Sequence, residues 1–336
     1  MPQKPQGHVD EHAGVPAASS TLDRLLVVPG RAERVLHVHH VPAREGRRSE
    51  WPRWADVRLV RALEAAGISR PWSHQVAAAE LAWQGRSVAI TTGTASGKSL
   101  GYLLPALTAV LSGASGWQDA ASTRARGPTV LYLSPTKALA GDQLSRLTRL
   151  GLPDLRAATY DGDTPADERR WVRDHASYVL TNPDLLHYSL LPGHSRWASF
   201  LRGLTYVVVD EAHHYRGVFG SHVAAVLRRL RRVAARYGAS PVFVVASATA
   251  ADPARTAQLL TGLRFEVVDD DTSRRGSAEF VLWEPPLLPG GGENGAPVRR
   301  TVTAETADLL TDLVTQGVRT LAFVRSRRGA EAVAMT

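Results

Sequence analysis

The chain has 336 residues, with 40 Lys and Arg against 32 Asp and Glu, which gives a formal net charge of +8. A hydrophobic fraction of 44% and a charged fraction of 21% are ordinary for a globular protein, so the composition excludes a wholly disordered chain. The complete lack of cysteine excludes disulfides, thiolate zinc sites and cysteine nucleophiles, whereas the basic excess suits a polyanionic partner such as nucleic acid.

The N-terminal residues do not have the pattern of a secretory signal. Met1–His12 is polar, and residues 1–34 are predicted to form a poorly ordered lead-in. The long uncharged stretch Ser99–Gln118 contains Pro105 and several serines and glycines, so it indicates a buried helix followed by a loop. The sequence therefore predicts a soluble protein without a membrane partner, in the cytoplasm or, in a bacterium, associated with the nucleoid.

Short runs rich in β-branched residues alternate with longer helical patterns through most of the chain. Runs such as Val207-Val208-Val209 are apolar on both faces, which is typical of buried parallel strands covered by helices. The predicted fold class is therefore α/β, with a doubly wound parallel sheet in a domain over residues 35–268. The predicted strands are Val35–Val41, Ser87–Ile90, Thr129–Leu133, Arg156–Thr159, Tyr178–Leu180, Tyr206–Val209 and Val242–Ala246.

The composition changes after this domain. Three consecutive aspartates and the polar residues behind them predict a linker over residues 269–277. A second α/β domain is predicted over residues 278–336, and we expect only its start, because a domain commonly needs about 100–150 residues. The elements that predict it are a strand at Phe280–Trp283, a helix around Ala304–Gln316 and a strand at Thr320–Val324.

The strongest local signal for chemistry is a glycine-containing turn, Thr92–Ser99, between a predicted strand and a helical run. Such a turn directs backbone N–H groups and the positive end of a helix to one place, which suits phosphate. Lys98 would reach the β- and γ-phosphates of ATP, and the Ser99 hydroxyl would hold Mg²⁺. The predicted cofactor-binding residues here are Thr92, Gly93, Thr94, Ala95, Ser96, Gly97, Lys98 and Ser99.

A second signal, Asp210-Glu211-Ala212-His213, follows the predicted strand Tyr206–Val209 directly. The carboxyl ends of parallel strands border the nucleotide crevice in sheets of this kind. Asp210 can hold Mg²⁺, directly or through water, and Glu211 can orient and deprotonate an attacking water. An acidic pair at a strand end is also common as a helix cap, but the phosphate loop upstream favours a nucleotide site. The predicted catalytic residues are therefore Glu211, Asp210 and Lys98.

With both signals in place, the chain resembles the superfamily 2 DEAD/DEAH-box helicases, and further motifs follow in that family's order. Arg70–Gln75 resembles the adenine-reading segment, with Gln75 as its glutamine. His213 together with Ser247, Ala248 and Thr249 resembles the residues that couple hydrolysis to movement. Phe323–Arg327 resembles the first motif of a second motor domain. The segments that resemble nucleic-acid-binding motifs contain Pro135, Thr136, Lys137, Asp161, Gly162, Thr181, Asn182 and Pro183.

Three segments narrow the resemblance to the mitomycin-repair-factor branch of DNA helicases, which includes RecQ-like enzymes of fungi. These are Thr92–Ser99, Tyr160–Thr164 and Tyr215–His222. The resemblance implies a RecA-like motor domain and the start of a second one, ATP-driven movement from 3′ to 5′, and a role in DNA repair. The implied partner is single-stranded DNA or DNA with a single-stranded tail. In that branch a complete second motor domain and a four-cysteine metal site follow, so we expect an N-terminal portion.

Two other functions remain compatible with these residues. One is a nucleotide-binding module that holds DNA or a partner protein without productive hydrolysis, since the second motor domain is expected to be incomplete. The other is a P-loop enzyme that phosphorylates a small molecule, against which the ordered motifs argue. The basic run Arg228–Arg236 is interpreted as a solvated helix face, with a nucleic-acid patch as the alternative.

Overall fold

The computed structural model describes residues 20–115, 127–248, 252–290 and 296–335. Residues 1–19 of the predicted lead-in and Thr249 of the predicted coupling segment lie outside these ranges. Backbone contacts divide the chain into a larger unit, Glu45–Arg275, and a smaller unit formed by Met1–Arg44 and Gly276–Thr336. Among the described residues, no helix combines the length and the apolar character needed to cross a bilayer.

The elements are numbered in chain order. The strands are β1 (Val35–Val41), β2 (Val88–Ile90), β3 (Thr129–Leu133), β4 (Ala157–Thr159), β5 (Tyr178–Thr181), β6 (Leu204–Val209), β7 (Val242–Ala246), β8 (Glu266–Val268) and β9 (Ala278–Trp283). The helices are α1 (Thr21–Leu26), α2 (Val57–Ala65), α3 (Ser73–Trp83), α4 (Ser99–Ser115), α5 (Lys137–Arg149), α6 (Ala166–His175), α7 (Pro183–Leu185), α8 (Ala198–Arg202), α9 (Gly217–Arg236), α10 (Pro253–Thr261), α11 (Val302–Thr315) and α12 (Arg327–Ala334).

The larger unit is built on a seven-stranded sheet in the order β4-β5-β3-β6-β7-β2-β8. Every pair of neighbouring strands in this sheet is parallel. This architecture confirms the predicted α/β class and the doubly wound parallel sheet. The edge strand β8 was not predicted from the sequence, because it is short and begins with an exposed glutamate.

Alternate residues of the central strands pack on opposite faces of the sheet. Val130 and Tyr132 of β3 belong to a buried cluster that includes Leu107 of α4. Leu131, between them, belongs to a second cluster on the other face, which includes Leu227 of α9. Burial of one such aliphatic side chain contributes roughly 1.5–3 kcal/mol to folding. Helices therefore cover both faces, and the strand ends rather than the faces remain available for a site.

The smaller unit contains a two-stranded antiparallel ribbon of β1 and β9. Glu305 of α11 is only 3% exposed and accepts hydrogen bonds from Arg34 at 2.6 Å, Trp283 at 2.8 Å and Arg300 at 2.9 Å. Burial raises the pKa of the Glu305 carboxyl, but the hydrogen bonds from Trp283 and the arginines outweigh burial and hold this pKa below its ordinary value. A buried carboxylate with three donors thus holds together elements that are distant in sequence.

The N-terminal region differs from the predicted lead-in. Residues 20–34 contain helix α1 and a 3₁₀ turn at Ala32–Arg34. Ser20 and Asp23 form a reciprocal cap, in which the Ser20 hydroxyl accepts from the Asp23 N–H at 3.0 Å and the carboxylate accepts from the Ser20 N–H at 2.9 Å. Strand β1 then pairs with β9, so it belongs to the smaller unit and not to the large sheet.

Residues 269–275 of the predicted linker 269–277 are anchored in the larger unit. Thr272 and Ser273 are buried. The Thr272 hydroxyl lies 2.9 Å from Nδ1 of His74, which is at the start of α3. Arg47 forms an ion pair with Asp270. These contacts are between residues far apart in sequence, so the local polar composition could not reveal them.

The predicted strand at Thr320–Val324 is wrong. The segment forms no strand, and Leu321 and Phe323 are 76% and 88% exposed. A strand is stabilised by hydrogen bonds to a neighbouring strand, and within the described ranges these residues pair with none. Apolar composition alone therefore overestimated their regularity.

Three buried tyrosines form a cluster within the larger unit, between α4 and the sheet. The ring centroids of Tyr102 and Tyr132 are 6.2 Å apart, and those of Tyr132 and Tyr178 are 6.5 Å apart. The Tyr178 hydroxyl is buried and has no hydrogen-bond partner among the residues that the structure describes. Burial raises the pKa of Tyr178 well above its ordinary value of 10.0, so this phenol remains protonated in the folded state.

We predict that Tyr178→Phe raises the free energy of unfolding at pH 7 by about 1 kcal/mol, because it removes a buried hydroxyl without a partner. The folded state keeps the Tyr178 proton that the unfolded chain releases above about pH 10, so this group lowers stability as the pH rises further. Above about pH 10, the free energy of unfolding of Tyr178→Phe should therefore fall by about 1.4 kcal/mol less per pH unit than that of the wild type. Urea unfolding at pH 7 and above pH 10 measures both effects. The exposed Tyr188→Phe is the control, and equal alkaline slopes for wild type and Tyr178→Phe would contradict the prediction.

Candidate functional site

The candidate site residues lie along one edge of the large sheet. Parallel strands bring their carboxyl ends to the same edge, and the predicted segments follow such ends, except Gln75, which lies on α3. The segments after β2, β6 and β7 are neighbours, because these three strands are adjacent in the sheet. The segments after β3, β4 and β5 are neighbours for the same reason. The edge therefore carries a group of predicted nucleotide-binding loops beside a group of predicted nucleic-acid-binding loops.

The phosphate loop connects β2 to α4 through a backbone that departs twice into the left-handed region. Ala95 has φ +64° and Gly97 has φ +79°. The Lys98 ammonium donates hydrogen bonds to the carbonyl oxygens of Thr92 at 3.1 Å and Gly93 at 3.0 Å. The loop is thus closed by its own lysine, and phosphate oxygens, which carry full charge, are stronger acceptors for the same ammonium.

Gln75 and two hydroxyls brace this loop. The Gln75 Oε1 atom accepts from the Trp72 N–H at 2.8 Å, and its Nε2 donates to the Gly97 carbonyl at 2.9 Å. The hydroxyls of Thr92 and Ser96 lie 2.6 Å apart, and both residues are buried. A Cβ atom at Gly97 would lie 2.5 Å from Gln75 Nε2, and the left-handed backbone there favours glycine. Gln75 therefore contacts the phosphate loop directly, and its role in adenine recognition stays a prediction.

Asp210 is held by three hydrogen bonds. Its Oδ2 accepts from the hydroxyls of Tyr102 at 2.9 Å and Tyr132 at 2.8 Å, and its Oδ1 accepts from the Glu211 N–H at 2.9 Å. The Asp210 N–H itself donates to the Leu133 carbonyl at 2.9 Å and continues the pairing of β6 with β3. A carboxylate offers about four lone-pair positions, so one position on Oδ1 remains for a further ligand.

The two tyrosines connect the acidic segment to the phosphate-loop helix, and the sequence analysis missed them. Tyr102 lies one turn after Ser99 on α4, so its hydroxyl joins the phosphate-loop helix to Asp210. Burial, reinforced by the Asp210 charge, raises the pKa of Tyr102 and Tyr132 far above the ordinary value, so both hydroxyls remain donors. The available signal was a tyrosine one turn after the loop serine in an otherwise apolar helix.

Glu211 and His213 form a pair beside Asp210. Glu211 has a left-handed backbone, with φ +49° and ψ +41°. The His213 Nδ1 atom lies 3.2 Å from the Glu211 Oε2 and 3.5 Å from the Ala248 backbone nitrogen. Nδ1 can donate to the carboxylate only when it carries a hydrogen, and it can accept from the Ala248 N–H only when it does not. His213 therefore serves one of these partners at a time.

The segment after β7 lies next to the phosphate loop. The Ser247 N–H donates to the carbonyl of Ile90, the last residue of β2, at 3.0 Å. Ser247 is only 5% exposed, whereas Ala248 is half-buried. The described part of the predicted coupling segment thus lies between the strand that leads to the phosphate loop and the imidazole of His213.

The predicted nucleic-acid-binding loops after β3 and β4 contact each other. Lys137, the first residue of α5, forms an exposed ion pair with Asp163 at 2.5 Å. This hydrogen bond raises the pKa of the Lys137 ammonium. A Cβ atom at Gly162 would lie 3.7 Å from the Lys137 Nζ, and Arg169 donates to the Gly162 carbonyl at 3.0 Å. A lysine at a helix N-terminus beside an exposed glycine loop is suited to a phosphate backbone.

Other predicted contact residues use their polar groups within the protein. The Thr181 hydroxyl is buried and donates to the Tyr160 carbonyl at 2.6 Å. Thr136 and Asn182 cap α5 and α7, each accepting from a backbone N–H of the first turn. Pro183 is buried at the first position of α7. These residues shape the loops, and the side chain of Thr181 does not face solvent.

Comparison with known proteins gives consistent results. The family model "DEAD/DEAH box helicase" matches residues 72–257. The ATP-dependent helicase YprA of Bacillus subtilis is 40% identical over 305 residues, which cover 90% of this chain and 38% of YprA. The ATP-dependent helicase hrq1 of Schizosaccharomyces pombe is 35% identical over 305 residues, which cover 88% of this chain and 27% of hrq1. The chain thus spans less than half the length of these relatives.

Among solved structures, the DUF1998 helicase MrfA bound to DNA has a TM-score of 0.82 and 38% identity to this chain. The match covers 95% of this chain and 43% of MrfA. The helicase Lhr of Mycobacterium smegmatis, bound to ssDNA and AMP-PNP, has a TM-score of 0.59 at 22% identity, which supports the fold alone. The likeness to these proteins extends the α/β assignment to the RecA-like fold.

We predict that Gly97→Ala weakens ATP binding about tenfold or more, because a left-handed backbone at a non-glycine residue costs roughly 1–2 kcal/mol and the new methyl group displaces Gln75. Titration with a fluorescent ATP analogue measures the affinity. Gly141→Ala, inside α5 with open space around it, is the matched control and should bind like wild type. An unchanged affinity in Gly97→Ala would contradict the prediction.

A further prediction concerns the donors to Asp210. Tyr132→Phe should lower the free energy of unfolding by about 2 kcal/mol, because it removes a buried hydrogen bond to a charged group. Tyr206→Phe should lower the free energy of unfolding by less, because the Tyr206 hydroxyl makes a long 3.4 Å contact to the neutral Ala82 carbonyl. Urea denaturation at neutral pH compares the two variants. Equal losses would show that the Asp210 contact has no special weight.

Proposed function

Because the chain belongs to the DEAD/DEAH box helicase family, we propose that it binds ATP and Mg²⁺ at the sheet edge and couples ATP hydrolysis to movement on DNA. The observation that carries this proposal is the link between the two halves of the candidate nucleotide site. Tyr102 lies one turn after Ser99 on the phosphate-loop helix, and its hydroxyl donates to Asp210 of the acidic segment at 2.9 Å, so a side chain of that helix positions the second predicted Mg²⁺ ligand.

The available donors fit Mg²⁺. The hydroxyl of Ser99 and the carboxylate of Asp210 are oxygen ligands of the kind that this ion prefers, and Asp210 Oδ1 retains a lone-pair position. When bound, Mg²⁺ supplies positive charge that neutralises the phosphate oxygens. Lys98 would exchange its two loop carbonyls for the β- and γ-phosphates, with the N-terminus of α4 behind it.

Glu211 is proposed as the general base. It orients a water and accepts its proton as the water oxygen attacks the γ-phosphorus and the bond to the bridging oxygen breaks. His213 lies within hydrogen-bonding reach of Glu211 and of the Ala248 N–H, so its hydrogen-bonding partner depends on whether Nδ1 carries the ring hydrogen. This relationship supports the proposed coupling role of His213, Ser247, Ala248 and Thr249.

The proposed partner is single-stranded DNA or DNA with a single-stranded tail, held through its backbone. Lys137, Gly162 and the N-terminus of α5 form the exposed part of the predicted contact loops, beside the nucleotide loops along the same edge. The MrfA structure described as bound to DNA supports DNA as the partner. We propose movement from 3′ to 5′ and a role in DNA repair from the resemblance to the mitomycin-repair-factor branch.

We predict that single-stranded DNA accelerates ATP hydrolysis by the full-length protein, and that Glu211→Gln lowers the rate by about 10²–10⁴-fold with little change in ATP affinity. Phosphate release with and without oligothymidylate, together with binding of a fluorescent ATP analogue, measures both quantities. Glu266→Gln at the exposed end of β8 makes the same charge change outside the candidate site and should behave like wild type.

Three results would contradict the proposal in different ways. Hydrolysis by wild type without any stimulation by DNA would overturn the translocase function. Binding of both ATP and DNA without hydrolysis would instead support the nucleotide-binding module. Retained hydrolysis in Glu211→Gln would overturn only the role of Glu211.

A further inference from the structure

A groove of about 480 Å³ lies in the larger unit beside the start of α7 and along one face of α9. Its walls come from the segment that follows β5 and from residues spaced three or four apart on α9. This spacing places them on one face of the helix. The groove is lined by Pro183, Asp184, His187, Tyr188, Phe219, Arg229 and Arg232, among others.

Aromatic side chains are exposed at this groove. Tyr188 is 76% exposed and Phe219 is 44% exposed, although both carry large apolar surfaces. The His187 ring packs edge-on against Tyr188, with centroids 4.6 Å apart and an interplanar angle of 63°. Exposed aromatic faces of this kind are the platforms on which unpaired bases stack, and each stacked base contributes about 1–3 kcal/mol.

The helical period divides the arginines of α9 into two sets. Arg228 donates to the Leu259 carbonyl at 2.8 Å, and Arg231 donates to the Thr261 carbonyl at 2.8 Å. These two arginines therefore hold the end of α10. Arg229 and Arg232 instead line the groove. The basic run that was interpreted as one solvated face is thus divided. Arg228 and Arg231 serve structure, whereas Arg229 and Arg232 are open to a ligand.

The charge of the groove is positive. Arg229 and Arg232 contribute two positive charges and Asp184 one negative charge, which leaves +2 − 1 = +1 with neutral imidazoles. The groove therefore combines flat apolar surface with cationic groups, which suits the base and the phosphate of a nucleotide.

From these observations we propose that the groove binds an unpaired nucleotide of single-stranded DNA, with the base against Tyr188 or Phe219 and the phosphate at Arg229 and Arg232. This inference rests on the proposed function, because it needs a DNA strand bound along the sheet edge that carries the predicted contact segment Thr181–Pro183. Pro183 belongs both to that predicted contact segment and to the groove wall, so the groove continues the path of the strand. A duplex hides its base faces by stacking, so the occupant is single-stranded.

The test compares two double variants of the full chain that each remove two positive charges from α9. Arg229→Ala/Arg232→Ala should weaken binding of fluorescein-labelled oligothymidylate and reduce the slope of log K against log salt by about 1.4, as expected for two lost phosphate contacts. Arg228→Ala/Arg231→Ala, on the face toward α10, should keep the wild-type slope. Tyr188→Ala should weaken binding about tenfold, with little change in slope, because stacking does not release counterions.

A crosslinking measurement makes the test independent of the variants. Ultraviolet crosslinking of wild type to an oligonucleotide with iododeoxyuridine should attach the base to Tyr188 or Phe219. Wild type that binds no oligothymidylate would overturn the proposed function and this inference together. Normal wild-type binding, with groove variants that match the control pair and no crosslink at these rings, would overturn the groove alone and favour a protein partner there. If the groove variants weakened binding of oligouridylate but not of oligothymidylate, the assignment of the groove to DNA would be overturned.

Discussion

Parallel pairing of the seven strands is the constraint on which the candidate site depends. Because all strands run in the same direction, every carboxyl end lies along one edge, and segments far apart in sequence become neighbours. β6 pairs with β3 on one side and with β7 on the other. The acidic segment after β6 therefore lies at the junction between the predicted nucleotide loops and the predicted nucleic-acid loops. An antiparallel strand at this position would carry the same residues to the opposite edge.

Asp210 is held by hydrogen bonds from neutral groups, and none of these donors pairs with its negative charge. Its protein partners are two phenols and one backbone N–H, all of them neutral donors. Neutral donors fix the orientation of a carboxylate without pairing its charge, whereas an arginine would form a closed ion pair. The negative charge then remains available to a cation. Glu305 in the smaller unit shows the contrast, because it is buried against two arginines and serves structure.

The sequence was most informative where the signal was local. Apolar β-branched runs located β3 and β7 to the residue, and the glycine loop and the acidic segment identified themselves by their neighbours. Strand β1 was assigned to the wrong unit because its partner β9 lies far along the chain. Tyr102 and Tyr132 were not found because a tyrosine in an apolar pattern is indistinguishable from core until its hydroxyl has a partner. The division of the α9 arginines likewise depends on the position of α10.

The left-handed backbone has a consequence for how this chain can change. Among the described residues, Ala95 and Glu211 are the non-glycine residues with positive φ, and they lie in the two halves of the candidate nucleotide site. Such a conformation is unfavourable for a side-chain-bearing residue, so the fold gives up some stability at both positions. Selection for heat resistance alone would favour glycine at each and would remove the Glu211 carboxylate. Stability and chemistry thus impose opposing selection at Glu211, and laboratory evolution toward a more robust protein would need to screen for activity in parallel.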